Sequence, residues 1–462
     1  MKPTAVIAIF DVGKTNKKLF LFDEQYKIVY EKTARFNETI DEDGDPCENI
    51  ESLKLSIFES LNELTRLKEF EIKAVNFSTY GASFVYIDDK GLPLTPLYNY
   101  LKPYPEELQK SFYECYGGEA KFCYQTASPA LGSLNSGLQL YRVKKQQPLL
   151  FNKIKYALHL PQYLSYLLTG QAFTDVTSIG CHTALWDFER NDYHDWVIKE
   201  GLTEKFAPIH PAASTVPVSY SGVSFQTGIG LHDSSAALIP YLVNFAGPFV
   251  LLSTGTWSIS LNPFNLSSLT GDELKNDCIK YLRYNGKPVK ASRLFSGHGY
   301  DQQVKRIAAH FNQDSIKYKT IVYDPETVSA MNRSGRFGVP AENAELKTLP
   351  FSQRALSCFS NDTEAYYQLM IDIVNQQKAS TNLVLKGSNA KRFFVDGGFS
   401  KNSVFMHLLA AFFPGVEVFA ASMAQATAVG AALAIHQAWN TKALPTDIIE
   451  LKYYSNIQSS LI

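Results

Sequence analysis

Two stretches of this chain, far apart in sequence, follow one pattern. Ala5-Val-Ile-Ala-Ile-Phe-Asp11-Val-Gly13-Lys14-Thr15-Asn16 leads through Lys17-Lys18 into the apolar run 19–22, and Phe249-Val-Leu-Leu-Ser253-Thr254-Gly255-Thr256-Trp257 leads into 258–261. Each reads as a buried strand, a tight polar turn containing glycine, and a second strand. Glycine admits positive φ and lets backbone N–H groups come close to a ligand, so such a turn can cradle an anion. Two such turns facing each other make a clamp for a polyphosphate. The expectation is a two-lobed protein with a nucleotide between the lobes, and a phosphotransferase or an ATPase is the first functional class it suggests.

The intervening sequence supports α/β lobes. Residues 25–30 read as a third strand. Residues 50–70 carry helical spacing through Ile50, Leu53, Ile57, Leu61, Leu64 and Leu67, and strands follow at 74–78 and 84–91. Helices are expected at 132–145, 161–168 and 233–243, with a proline-broken loop at 208–223. Asn244-Phe-Ala-Gly-Pro248 reads as a hinge, dividing the chain into lobes 1–243 and 244–462. The second lobe is expected to hold helices at 301–311 and 362–385 and a strand at 392–396 that enters Gly397-Gly398. Its last helix, 424–437, is rich in small residues and is read as structural support for the wall of the nucleotide site. Strands first, then strands alternating with helices, is the order of a layered α/β lobe.

The bulk numbers exclude several other classes. A chain of 462 residues has room for two or three cores. A formal net charge of −1, with lysines scattered rather than clustered, gives no pull toward nucleic acid or an anionic membrane. The six cysteines show neither metal-ligand spacing nor a disulfide framework, and the histidines form no His-Glu-x-x-His pattern. No apolar stretch is long enough to cross a bilayer, and Met1-Lys2-Pro3 passes straight into a strand without a leader. A soluble, cytoplasmic protein is expected, as a monomer or a homodimer.

Four segments carry candidate chemistry. Asp11, at the end of the first strand, is placed to hold Mg2+ through water or simply to cap its turn; Mg2+ keeps most of its hydration and takes few protein ligands. Lys14 and Thr15 can reach a transferred phosphate, with Gly13 and Asn16 beside them, or face solvent. Thr254-Gly255-Thr256 offers hydroxyls and N–H groups to the opposite side of a polyphosphate. In Gly230-Leu-His232-Asp233, Asp233 falls at a helix start, where it can act as general base toward an acceptor hydroxyl, as an N-cap, or as both. Asp396-Gly397-Gly398, with Asn402 after it, lets a flat adenine or ribose lie against backbone.

In this order the segments resemble the FGGY carbohydrate kinases of the actin/hexokinase/Hsp70-like ATPase superfamily, over nearly the whole chain. Asp11–Gly13–Thr15 is similar to the family's first phosphate motif and Ser253-Thr-Gly-Thr256-Trp-Ser258 to its second. Pro161–Gly170 with Thr174-Asp175, Ser178 and Thr183 is similar to its mid-domain signature, and Val395-Asp-Gly-Gly398 with Asn402 to its adenosine motif. The resemblance implies two RNase H-like α/β lobes with a nucleotide and sugar cleft between them, ATP and Mg2+ as cofactors, and a small sugar as acceptor. It also implies roles. Asp233 is the catalytic base and, with Asp11, holds Mg2+ through water. Gly13, Lys14, Thr15, Asn16, Thr254, Gly255, Thr256, Gly299, Gly397, Gly398 and Asn402 bind nucleotide, and Tyr80, Gly81, Ala82, His232 and Asp233 bind sugar.

Ser78-Thr-Tyr80-Gly81-Ala82-Ser-Phe84 and Gly255-Thr-Trp-Ser258 are most similar to the rhamnulokinase and fuculokinase branch, which implies a 6-deoxy-ketohexose phosphorylated at O1. Three positions depart from the family pattern. Lys14 stands where Thr or Ser is usual, Tyr98-Asn99-Tyr100 stands near a usual Trp-x-Asp-x-Arg, and Gln425 stands where an acidic residue is common. The alternatives are a catalytically weak, sugar-binding or regulatory relative and an ATPase with a conformational output.

Overall fold

The computed structural model describes residues 2–14, 16–333, 346–423 and 425–455. By packing, the chain forms two units: Met1–Phe245 with Lys280–Pro288 and Gln425–Ile448, and Ala246–Ile279 with Val289–Ala424 and Ile449–Ile462.

In the first unit β1 (Thr4–Val12), β2 (Lys17–Asp23) and β3 (Ile28–Ala34) form an antiparallel meander, as the alternation of strands and polar turns predicts. Val6, Ile7, Ala8 and Ile9 are all fully buried, because β1 lies inside the sheet with both faces covered. Helix α1 (Ile50–Leu64) begins at Asn49, whose side chain accepts from the Ser52 N–H, and buries Leu53, Ile57 and Leu61. It stops short of the expected residue 70. The helical spacing persists to Leu67, but the chain turns there so that β4 (Phe70–Thr79) can pair in parallel with β1 from Thr4 onward, and sheet pairing overrides local propensity. Helices α2 (Leu160–Thr169) and α3 (Val176–Ile179) follow, then β5 (Thr215–Tyr220), β6 (Val223–Gly228) and β7 (Leu231–His232), and then α4 (Asp233–Asn244). The sheet order is β5-β6-β4-β1-β2-β3, with β7 also parallel to β4.

In the second unit β8 (Val250–Thr254) and β9 (Ser258–Asn262) form the second hairpin. With β10 (Cys278–Leu282), β11 (Pro288–Leu294), β12 (Arg392–Gly397), β13 (Glu417–Ser422) and β14 (Glu450–Tyr454) they make a sheet ordered β10-β11-β9-β8-β12-β13-β14. The sequence repeat is thus a repeat of topology: β1 lies between antiparallel β2 and parallel β4, and β8 between antiparallel β9 and parallel β12. Helix α5 spans Ser296–His310, starting five residues before the expected 301 because Gly297 and Gly299 mask its first turn. Helix α6 spans Asp362–Leu385, as its sequence predicts, and α7 spans Ser403–Phe412.

The last helical segment departs from its expected place. Helix α8 (Ala426–Ala434) packs in the first unit, against α4 and β1, instead of backing the nucleotide wall of the second. Its small residues are there for close approach: a Cβ on Gly430 would stand 1.8 Å from the Ala236 carbonyl oxygen. Among the described residues no helix is long and apolar enough to cross a membrane.

Candidate functional sites, one in each unit

The carboxyl ends of three neighbouring parallel strands gather the first constellation, the position at which open α/β sheets place their ligands. Asp11 of β1 is in register with Ser78 of β4, and His232 of β7 with Thr79, so Asp11, the Tyr80-Gly81-Ala82 turn and His232-Asp233 share one sheet end. Asp11 is mostly buried, and its Oδ2 accepts from the Thr427 hydroxyl at 2.8 Å. Burial pushes its carboxyl up to about 6; the Thr427 bond opposes the rise and the charge of Asp233 adds to it. The two carboxylates therefore lie within each other's field.

His232 is the capping position of α4 and Asp233 its first residue, so Asp233 is not the cap. Among the described residues both hydrogen bonds to the Asp233 side chain fall on Oδ1, from the Ser234 N–H at 2.6 Å and the Ser234 hydroxyl at 3.3 Å, and His232 Nε2 lies 3.2 Å from the same oxygen. Burial lowers the His232 pKa against the opposing charge of Asp233, which keeps the ring neutral with one N–H to give. Its Nδ1 is buried with no partner among the described residues. The edge of the ring carrying Cδ2 and Nε2 packs against Gly81, where a Cβ would come 2.8 Å from His232 Cδ2, so a larger residue there would displace the ring. The Gly230 carbonyl accepts from Gln162 Nε2 at 3.0 Å and its N–H donates to Asn76 Oδ1 at 3.2 Å, so α2 and β4 fix the approach to this pair.

The turn after β1 closes through the Gly13 N–H to the Asn16 carbonyl at 2.9 Å, while Asn16 Oδ1 accepts from Arg35 at 3.0 Å. Thr15 lies outside the described residues. The Lys14 ammonium pairs with Glu38 at 2.8 Å and Glu48 at 3.4 Å. Burial alone would lower its pKa, but these carboxylates raise it. Glu48, which sequence reasoning missed, is a hub: it also takes Lys17 at 3.0 Å and the Tyr80 hydroxyl at 2.8 Å. Ala82 holds φ 66° and its carbonyl accepts from Gln139 at 2.7 Å. Nothing in the local sequence marks Glu48 or Thr427, because each reaches the site through tertiary folding.

The second unit builds the other constellation. Its turn closes through the Gly255 N–H to the Trp257 carbonyl at 2.8 Å, and the Gly398 N–H donates to the Thr254 carbonyl, also at 2.8 Å. Gly397 has φ +87° and a Cβ there would stand 1.8 Å from the Thr254 oxygen, so the glycine pair lets β12 close on β8. The Thr254 hydroxyl is spent internally, donating to the Asp396 carbonyl at 2.5 Å and accepting from the Phe399 N–H at 3.0 Å. Asn402 caps α7 through the Phe405 N–H and donates to the Tyr366 hydroxyl at 2.8 Å. Gly255, Thr256, Gly398 and Asn402 line a cavity of about 510 Å³, large enough for a nucleoside. Tyr300, Lys319 and Lys401 line it too, and the sequence reading did not single them out. Gly299 sits behind, in the first turn of α5, where a Cβ would come 3.3 Å from Leu349. Among the described residues no group of three His, Cys, Asp or Glu side chains could hold a bare metal ion.

Comparison with known proteins agrees with this architecture. Residues 6–238 match the description "FGGY family of carbohydrate kinases, N-terminal domain", and residues 246–443 match "Carbohydrate kinase FGGY, C-terminal domain". A rhamnulokinase of Halalkalibacterium halodurans is 25% identical over 264 residues, which is 54% of either chain, so in the aligned stretch the chain spans about half the length of this curated relative. In fold the chain is similar to a carbohydrate kinase from Novosphingobium aromaticivorans, with a TM-score of 0.80 at 24% identity, over 99% of this chain and 95% of that one. It is similar also to a xylulose kinase from Lactobacillus acidophilus, with a TM-score of 0.77 at 16% identity, over 98% and 94% of the two chains. Both family domains, in order and covering nearly all of the sequence, show that this chain belongs to the FGGY family of carbohydrate kinases and has the family's two-domain, actin/hexokinase-like fold.

Proposed function

We propose that the protein is an ATP-dependent sugar kinase that moves the γ-phosphoryl group of ATP to a hydroxyl of a small sugar, with deoxyketoses such as L-rhamnulose and L-fuculose as the leading acceptors. The observation that carries this reading is the division of labour on Asp233. Its Oδ1 accepts both Ser234 bonds and has His232 Nε2 3.2 Å away, while Oδ2 takes no bond from the described residues, so one oxygen is fixed and the other is left for an acceptor hydroxyl. A general base needs that reach before it needs any particular pKa. The rhamnulokinase relative supports the choice of acceptor.

In this reading the first unit binds the sugar through Tyr80, Gly81, Ala82 and His232. The buried Nδ1 of His232 accepts a sugar hydroxyl, because a neutral ring that carries its proton on Nε2, the nitrogen beside the Asp233 carboxylate, presents a lone pair there. The second unit binds adenosine in the cavity beside Gly398 and Asn402, with the two glycine turns as phosphate cradles and the lobe boundary near 244. Asp11 and Asp233 fit a hydrated Mg2+: the charge of Asp233 holds back ionisation of Asp11, a shared cation relieves that, and Mg2+ takes few protein ligands directly. Mg2+, when bound, neutralises charge on the transferred phosphoryl group. The chain's own part is to orient the acceptor, take its proton at Asp233 Oδ2, and aim preorganised N–H donors at the phosphates.

Coupled ADP release over a panel of ketoses, polyols and aldoses tests this. Turnover on one sugar, reduced about 100-fold or more by Asp233→Asn with nucleotide binding retained, is the expected result. Undiminished turnover in the variant would remove Asp233 from its role, and turnover on a sugar outside the deoxyketoses would keep the kinase and discard that acceptor.

A further inference from the structure

Asp175 is wholly buried, sits in the capping position of α3, and accepts from the backbone N–H groups of Thr177 at 2.9 Å and Ser178 at 3.2 Å. A helix of four residues does not need a fully desolvated carboxylate to begin it, and burial raises the Asp175 carboxyl to about 7 despite those bonds. What the carboxylate does beyond capping is take the proton of the Thr177 hydroxyl in a short hydrogen bond. A threonine hydroxyl has a single proton, so this bond turns its lone pairs elsewhere. They face the His232 backbone N–H, which donates to Thr177 Oγ1 at 2.9 Å. His232 in turn reaches Asp233 through Nε2.

We infer that Asp175 and Thr177 are positioning residues for the base, forming a buried line Asp175–Thr177–His232–Asp233 that sets the orientation of the His232 backbone and thereby the direction of the Asp233 carboxylate. The inference rests on the kinase reading above. No other described side chain hydrogen-bonds the His232 N–H, and Leu231 and His232 pair with β4 only over Ser78 and Thr79, so the strand is too short to fix the pair by itself. A polar network of this kind is stiff only when every member is satisfied, and removing its central hydroxyl leaves the buried His232 N–H without its partner and the Asp175 carboxylate with only its two backbone bonds.

The test compares Thr177→Val, which keeps the shape and loses the hydroxyl, with Thr177→Ser, which keeps the hydroxyl. Each is assayed on the best acceptor of the wild type, with kcat normalised to the folded fraction counted by nucleotide binding. The expected result is at least a tenfold loss of kcat in Thr177→Val, with KM for ATP and for sugar within about twofold of wild type, and recovery to within about threefold in Thr177→Ser. The normalisation keeps the comparison valid if Thr177→Val folds only in part. Wild-type kcat in Thr177→Val, an equal loss in both variants, or a loss confined to KM would overturn the positioning role while leaving the kinase reading intact. A wild type that transfers phosphate to no sugar would overturn that reading and this role with it.

Discussion

The asymmetry of the Asp233 carboxylate sets what single substitutions should do. Asp233→Asn preserves the bonds on Oδ1 and removes only the proton acceptor, so it separates chemistry from architecture in a way that alanine would not. Asp175 makes a second prediction, in stability. Its carboxyl is raised from an ordinary 3.8 to about 7, so between those values the folded chain holds a proton that the unfolded chain has released. Stability contributed at this position is therefore complete below about pH 4 and declines as the pH rises toward 7, by at most about 1.4 kcal/mol per unit. Asp175→Asn should lack this component, so the melting-temperature difference between wild type and variant should shrink or reverse as the pH is raised from 4 to 7. A pH-independent difference would show that the carboxyl titrates normally. The sequence displayed Asp11, His232 and Asp233 because each stands beside a recognisable turn. It did not display Glu48, Thr427 or the part played by the Thr177 hydroxyl, since their partners lie 32 to 416 positions away and no local pattern encodes a tertiary hydrogen bond.

At the scale of elements the hairpins were legible and the helix ends less so. Alternation of apolar residues around a glycine turn admits few other structures, and α6 is long and free of glycine and proline, so both follow from sequence. Helix α1 overran its true end because periodicity continues where pairing of β4 takes over. Helix α5 began unseen because glycines at its start read as loop. The role of α8 was misjudged for a different reason: small residues announce close packing without naming the partner. Contact with α4 supplies a third prediction. Gly430→Ala forces a methyl group into the Ala236 carbonyl, and chemical denaturation should report a loss of about 1–3 kcal/mol. Since α4 begins with Asp233, activity should fall as well; a variant as stable as wild type would show that the two helices can separate at little cost.

Across the whole molecule, the repeated topology predicts a division of labour that steady-state kinetics can read. Gly81→Ala pushes on the His232 ring and should raise KM for the sugar and lower kcat, with KM for ATP nearly unchanged. Tyr300→Ala removes an aromatic wall from the cavity of the second unit and should raise KM for ATP several-fold with KM for the sugar unchanged. Equal effects of both variants on both constants would refute the assignment of one ligand to each unit. Fold class was readable because two copies of one motif, each with a parallel strand beside it, leave little choice of architecture. Acceptor identity was not, because it turns on polar side chains gathered by tertiary folding: the network of Glu48, Tyr80 and Lys14 is drawn from three separate stretches of the chain, and no local pattern announces it.

The discontinuity of the first unit bears on how the chain is made. Asp11 waits for Thr427, and α4 waits for α8, so β1 is synthesised some four hundred residues before its last partner. The second unit is interrupted only by the short excursion 280–288 and by 425–448, and its sheet lacks just β14 when residue 424 has been added. An order of maturation follows in which the second unit is structurally nearly whole before 425–448, which completes the first, has been synthesised. A chain cut after residue 424 would then keep every residue that lines the cavity of about 510 Å³ and lose Thr427 from the sheet end that holds Asp11.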